Sequence, residues 1–310
     1  MKIIITGSCG HIGSYIVENL SKIKKVKTAI LIDNLKSNRF NSIFNLKNKP
    51  KFFFFQRDLT NKKSLNDFKN VDLIIHCASI TTAAASFKNK KEMYYNNIEC
   101  MKNVINYCKK NKSKLIHISS TSIYGKSSNL VNESDTHLIK PQSPYADIKL
   151  IEEKMLHKVK RKIKYVSFRF GTITGISKGM RFHTAVNKFC LDASLNRGIT
   201  IYKTAYNQVR PYLSVRDAFK VFKFCIEKNS YNNETYNALS GNYSVSQIIA
   251  KIKRYKKKVK IKYISSPIMN KINFVVSTKK LKNAGLNLNS KILTDIKNTI
   301  NLFKNIKNEM

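Results

Sequence analysis

The 310-residue sequence predicts an α/β fold, a doubly wound parallel sheet joined to a smaller C-terminal region. Three observations point to it. A short apolar run leads directly into a glycine-rich loop and an amphipathic helix at the N-terminus. Apolar runs of strand length then alternate with helical stretches as far as residue 170. Only 5 Pro and 10 Gly are present, and neither a linker nor an internal repeat divides the chain, so the two halves are expected to pack closely.

Residues 2–6 read as the first strand. The loop Gly7-Ser-Cys-Gly10-His-Ile-Gly13 opens a helix in which Ile12, Ile16, Val17 and Leu20 recur at helical spacing. Residues 28–33, 51–58, 71–78 and 114–120 read as four further buried strands, residues 145–157 as a helix and 165–170 as a sixth strand. Strands separated by helices imply right-handed crossovers and a sheet covered on both faces, with ligands at the strand C-termini. Beyond residue 175 the alternation weakens. Residues 251–262 alternate Lys with apolar residues and read as the end of a helix and a following strand. The expected division is 1–175 and 176–310, interleaved, with some later segments returning to the sheet.

Charge is the unusual quantity: 58 Lys and Arg against 18 Asp and Glu give a formal +40. A basic stripe would suggest nucleic acid. Here the basic residues, like the 34 Asn, are spread from end to end, as an AT-rich genome would produce. The expected consequence is a solvated basic surface, with nucleic acid not the partner. Six Cys without a Cys-x-x-Cys pair encode neither a disulfide framework nor a thiolate zinc site, which points to a reducing compartment. No His/Cys/Asp/Glu cluster has metal-ligand spacing, so no metal is expected. No apolar run approaches the ~18 residues of a membrane span, and no signal peptide is read at the N-terminus. The expected location is the cytoplasm.

Two groups of residues carry chemistry. A glycine turn after the first strand lets main-chain N–H groups approach a pyrophosphate, whose charge the following helix dipole favours. Gly7, Gly10 and Gly13 are evenly spaced, and Asp33 ends the second strand where a carboxylate would accept from adenosine ribose hydroxyls. That carboxylate would repel a 2′-phosphate and favours NAD, while Lys36 and Arg39 leave NADP open. The second group is Tyr145 and Lys149, one helical turn apart, where an ammonium favours a phenolate and makes a usable base. The hydroxyl-rich stretch Ser119-Ser120-Thr121-Ser122-Ile123-Tyr124-Gly125 lies about 25 residues upstream, at a strand C-terminus where ligands bind.

Over essentially its whole length the sequence resembles the extended short-chain dehydrogenase/reductases of the NAD-dependent sugar-nucleotide epimerase and dehydratase type, with their Rossmann-type sheet. The resemblance rests on Gly7, Gly10 and Gly13, on Asp58-Leu59, and on His76-Cys77-Ala78-Ser79 with Ser86 downstream. It rests further on Asn97, on Tyr145-x-x-x-Lys149 followed by Glu153, and on residues 277–286 as a closing helix and glycine turn. It implies that Tyr145 is the catalytic acid/base, that Lys149 holds the nicotinamide ribose and that Ser120 bonds the reacting hydroxyl. The implied NAD contacts are Gly7, Gly10, His11, Ile12, Gly13, Asp33, Asn34, Asp58, Leu59, Ala78, Ser79, Asn97, Tyr145, Lys149 and Phe170. The implied contacts of a nucleotide-sugar substrate are Thr81, Ser120, Thr121, Thr172 and Arg210, and the implied assembly is a homodimer.

Departures from the pattern refine the reading. Members that eliminate water place an acidic residue in the strand end where this chain has Thr121 and Ser122, which favours epimerisation at C4 through a keto-sugar over dehydration. The substrate-contacting asparagine of the family is replaced by Thr172. Arg210, in Arg210-Pro-Tyr-Leu-Ser-Val-Arg-Asp217, is the expected contact to the nucleotide diphosphate. His183, in Met180-Arg181-Phe182-His183, reads equally as a surface or packing residue and as a catalytic one, and is not counted among the site residues. A keto-sugar reductase or dehydratase of the same family, and an RNA-binding protein on the same scaffold, remain open readings.

Overall fold

A computed structural model describes residues 1–81, 89–125, 130–265 and 273–306. The first half forms β1 (Lys2–Thr6), α1 (His11–Asn19), β2 (Thr28–Asp33), β3 (Lys51–Gln56) and β4 (Leu73–His76). It continues with α2 (Lys90–Asn111), β5 (Lys114–Ser120), β6 (Leu130–Val131), α3 (Pro144–Lys158), β7 (Tyr165–Phe170) and β8 (Thr172–Thr174). In the second half come α4 (Ala185–Ser194), β9 (Ile199–Tyr202), β10 (Val209–Ser214), α5 (Val215–Lys228), β11 (Thr235–Ala238) and β12 (Gly241–Ser244). α6 (Val245–Lys253), β13 (Ile261–Ile264), β14 (Val275–Val276), α7 (Lys279–Asn283) and α8 (Ile292–Asn301) follow.

The central sheet has seven parallel strands in the order β11-β7-β5-β4-β1-β2-β3. Ile3, Ile4 and Ile5 of β1 are wholly buried, and they alternate between two cores. Ile3 and Ile5 join one with α1 and α5, whereas Ile4 joins the other with α2 and α3. A strand covered on both faces must be apolar at every position, which is why β1 is a continuous apolar run. Each such isoleucine contributes about 1.5–3 kcal/mol of burial. The doubly wound sheet is therefore the one the sequence predicts, and β1, β2, β5 and β7 have the expected bounds. β3 and β4 are shorter, ending at Gln56 and His76.

β1 lies between β2 and β4, so the crossovers turn in opposite directions on its two sides. A crevice opens at the C-terminal ends of β1 and β4, the switch point of such a sheet. From the second half, α5 packs on α1 and β11 pairs with β7. The remainder gathers β12-β10-β8 and the pair β13-β9 around a separate core of α4, α6 and α8 that includes Val186, Ile199, Ile248 and Ile296. The helix and strand expected across 251–262 are the end of α6 and the start of β13. Among the described residues no helix is long and apolar enough to cross a membrane.

Candidate functional site

The glycine loop is shaped for close approach. Gly7 has φ +62°, and a Cβ there would lie 2.6 Å from the Ala78 nitrogen. At Gly13 a Cβ would meet the Gly7 carbonyl oxygen at 2.2 Å. The Gly10 N–H donates to that same oxygen at 3.0 Å, and the start of α1 has no side-chain cap at Gly10. Its first N–H groups thus face the crevice without an acceptor from the cap residue. Asp33 closes the far side, accepting from Cys9 N–H at 3.0 Å and Leu35 N–H at 2.9 Å. A loop too tight for side chains, an uncapped helix start and a carboxylate at the end of β2 together fit a dinucleotide.

Neighbouring residues brace this cradle. The His11 ring is turned away from the loop, its Nε2 2.8 Å from the Gly175 carbonyl, and burial pushes it down to about 3. Ile12 packs against the core beneath, and Asn34 Oδ1 accepts from Lys36 N–H at 3.2 Å. Asp58 accepts from the main chain and hydroxyl of Thr60 at 2.9 and 2.8 Å and pairs with Lys36 at 3.1 Å. Burial raises its carboxyl, but these donors outweigh burial and hold it at about 2. Leu59 beside it is buried. At the end of β4 the Thr6 hydroxyl meets His76 Nδ1 at 2.8 Å and accepts from Cys77 and Ala78 N–H. Ser79 donates to the Ile80 carbonyl, whereas Asn97 uses both amide groups on the Ile80 main chain and acts on the crevice by fixing this loop. Ser86 lies outside the described residues.

α3 begins with Pro144 in its first turn, and the Ser143 hydroxyl caps it by accepting from Ala146 N–H at 3.2 Å. This start fixes Tyr145 and Lys149 on one face, with Lys149 Nζ 5.9 Å from the centre of the Tyr145 ring. Burial pulls the Lys149 ammonium down, and Glu152 with Tyr145 more than offsets that, holding it above its ordinary value. At the end of β5, Ser120 Oγ accepts from Ser122 N–H at 3.2 Å and from its hydroxyl at 2.8 Å. Glu153 is engaged by Arg169 through two hydrogen bonds at 3.0 and 2.8 Å and by the Ser119 hydroxyl.

Two of the expected contact residues turn their side chains inward. Thr121 is buried and donates its hydroxyl to the Phe170 carbonyl at 3.2 Å, because it opens a single tight turn that points it inward. The Phe170 ring lies in the core between Phe168 and Phe222, so only its main chain is available to a ligand. Thr172 stands half-buried at the start of β8, paired with Tyr212 of β10.

Arg210 donates to Gln208 Oε1 at 3.2 Å and has no ion pair among the described residues, and its buried Nε has no hydrogen-bond partner. Burial holds it below the usual arginine range. Arg181, which the sequence did not single out, has the same character. Its guanidinium donates to the Thr81 hydroxyl, its Nε is buried without a partner, and burial pulls it down to about 10. The imidazole of His183 beside it, a residue that keeps much of its surface exposed, is pushed down to about 4 by desolvation, Arg181 and Arg39. Two further residues were missed. Glu152 pairs with Lys149 at 2.8 Å and with His117 Nε2 at 2.8 Å. A histidine inside the apolar run Leu115-Ile116-His117-Ile118 was the available signal, since a buried imidazole needs partners.

The model of the NAD dependent epimerase/dehydratase family matches residues 3–238. An uncharacterised UDP-glucose epimerase of Bacillus subtilis is 29% identical over 247 residues, 76% of each chain. The ADP-L-glycero-D-manno-heptose-6-epimerase of Brachyspira hyodysenteriae is 29% identical over 280 residues, covering 86% of this chain and 84% of its own. Among solved structures, a UDP-N-acetylglucosamine 4-epimerase of Methanobrevibacter ruminantium, in complex with UDP-N-acetylmuramic acid, superposes with a TM-score of 0.84 at 25% identity over 97% of both chains. With its family model matched over residues 3–238, the chain belongs to the NAD-dependent epimerase/dehydratase family, enzymes that use NAD on nucleotide sugars.

Proposed function

We propose that the protein is a NAD-dependent epimerase that inverts C4 of a nucleotide sugar through a transient keto-sugar. The carrying observation is the acid inventory around Tyr145. The strand end offers hydroxyls at Ser120, Thr121 and Ser122. The nearby carboxylates are committed, Glu152 to Lys149 and Glu153 to Arg169. Elimination of water needs a carboxyl group to protonate the departing oxygen, whereas epimerisation needs only a base that takes and returns one proton. The names of two relatives, a UDP-glucose epimerase and a heptose 6-epimerase, support epimerisation, and a UDP-N-acetylglucosamine 4-epimerase among the similar structures supports C4 as the centre.

In this reading residues 1–175 hold the cofactor and 176–310 supply most of the substrate region, with α5 and β11 returning to the sheet. Bound NAD supplies the hydride acceptor and donor. Tyr145 removes the proton of the sugar hydroxyl and later restores it. Ser120 holds the reacting oxygen, Lys149 binds the cofactor ribose, and Arg210 binds the substrate diphosphate with bidentate geometry. The resemblance adds a homodimer formed through helices of the cofactor half, and the cysteine pattern adds a reducing, cytoplasmic location.

Incubation with a panel of nucleotide hexoses and pentoses, followed by chromatography and mass spectrometry, tests the reaction. The expected product is an isomer of unchanged mass. A product lighter by one water, about 18 mass units, would overturn epimerisation in favour of dehydration.

A further inference from the structure

Lys149 is nearly fully buried, and its ammonium is 2.8 Å from Glu152 Oε2, three residues further along α3. The same oxygen is 2.8 Å from His117 Nε2 on β5, and His117 Nδ1 is 2.8 Å from the Ser167 hydroxyl on β7. Glu152, His117 and Ser167 are all at most 1% exposed. A line of hydrogen bonds therefore runs from the sheet interior to the Lys149 amine.

A buried ammonium without a counter-ion loses its proton, because desolvation disfavours the charged form. The groups facing this cluster from neighbouring elements are Tyr145 on α3, His76 and Cys77 at the end of β4, and Cys100 on α2. Burial holds His76 down to about 3 and pushes the Cys77 and Cys100 thiols up to about 12, so these three are uncharged at neutral pH. That leaves Glu152 as the permanent negative charge in contact with Lys149.

The geometry points to Glu152 as a positioning residue, held by His117, that keeps Lys149 protonated and directs its remaining N–H donors into the crevice. This rests on the reading of Lys149 as the ribose-binding residue. One of three ammonium donors goes to Glu152, which fixes the amine and leaves two for a vicinal diol. The His117 bond prevents the carboxylate from following the lysine outward.

The consequence is a proton linkage. In the native protein Lys149 is charged before the cofactor arrives, so NAD binding takes up no proton at Lys149 between pH 6.5 and 8.5, and measurement in the Y145F background leaves Lys149 as the group read. In E152Q the lysine becomes neutral within that range, and binding then draws a proton from solvent. Titration calorimetry with NAD in buffers of differing ionisation enthalpy reads this directly. The expected result for E152Q is proton uptake at pH 8.5 and a Kd that rises roughly tenfold from pH 6.5 to 8.5. K149M weakens NAD at every pH without uptake, and K149M/E152Q is no weaker than K149M, because Glu152 acts through Lys149. Unchanged, proton-free binding in E152Q beside weakened binding in K149M would overturn the role of Glu152. Native binding in K149M would instead overturn the reading of Lys149. Should E152Q not fold, E152M carries the same test, since it also removes the carboxylate at similar volume and is expected to give the same uptake at the upper end of the range.

Discussion

The Asp33 carboxylate accepts from the Cys9 main-chain N–H at 3.0 Å, which ties the end of β2 to the middle of the glycine loop. In the proposed reading this one side chain both shapes the loop that would cradle the pyrophosphate and presents negative charge to the adenosine ribose. D33A is expected to weaken NAD clearly more than NADP, because the variant loses a ribose acceptor for NAD and a repulsion for the 2′-phosphate. Arg39, which lies within electrostatic reach of Asp33, is positioned to assist NADP once Asp33 is gone. Equal losses for both cofactors in parallel titrations would refute the assignment.

Arg210 and Arg181 each leave a buried Nε unsatisfied, and neither has a carboxylate partner among the described residues. A desolvated guanidinium without a counter-ion is costly, so the protein is expected to recover that cost when an anionic ligand enters. R210Q should raise the KM for the nucleotide sugar by about ten- to a hundredfold, matching the roughly 1.5–3 kcal/mol of a charge-assisted hydrogen bond. R181Q should lower substrate affinity too, through lost charge beside Thr81. Kinetics with the substrate identified by the nucleotide-sugar panel checks both, and an unchanged KM in R210Q would remove Arg210 from the diphosphate site.

Folding stability should fall in acid through the buried histidines. His11 and His76 are both pushed from 6.5 to about 3 by burial, so the folded state binds fewer protons than the unfolded chain below pH 6.5. Their contribution is fully present above that pH and is lost as pH falls towards 3. Glu152, held at about 2 by Lys149 and His117 against its burial, adds loss at lower pH. Asp295, raised by burial, works in the opposite sense. The urea midpoint is expected to drop between pH 7.5 and 4.5, and to drop less in H11Q, whose amide can still donate to Gly175. Parallel pH profiles for the two proteins would show that His11 is not a source of the loss.

What could be read from the sequence follows from what is local. β1, β2, β5 and β7 have their expected bounds because strands buried on both faces are mainly apolar runs closed by polar residues or loops, with His117 in β5 and Ser167 and Arg169 in β7 as paired exceptions. β12, Gly-Asn-Tyr-Ser, has no such run, and β6 and β14 have two residues each, so their pairing is decided by distant partners and leaves no periodic trace. The same division holds at the site. Gly7, Gly13 and Asp33 announce themselves by spacing. Arg181 reaches Thr81 across a separation of 100 residues, and Glu152 meets His117 from a different element, contacts that only the folded chain creates. The inward turn of the Thr121 hydroxyl is not legible for a similar reason, since which hydroxyl of Ser120-Thr121-Ser122 faces inward depends on a single tight turn rather than on strand alternation.

Tyr145 bears on all of this most directly. It sits in the first turn of α3, where Pro144 and the Ser143 cap set the backbone independently of the Tyr145 side chain. Among the described residues its hydroxyl makes no hydrogen bond, so removing that oxygen leaves no buried donor or acceptor unpaired in the folded chain. Y145F is therefore expected to fold with a melting temperature close to the native one and to bind NAD with little change, because Lys149 keeps its pairing with Glu152. Turnover is a different matter. The phenolic oxygen is the proton acceptor in the proposed reaction, Ser120 and Ser122 have hydroxyls too weakly acidic to replace it near neutral pH, and Glu153 is held by Arg169. Losing a general base lowers the rate by about 100- to 10,000-fold. The decisive measurement is single-turnover kinetics with saturating substrate, read beside calorimetric NAD binding on the same preparation. A slow step with intact binding assigns the proton to Tyr145, whereas near-native turnover would take that role away from it.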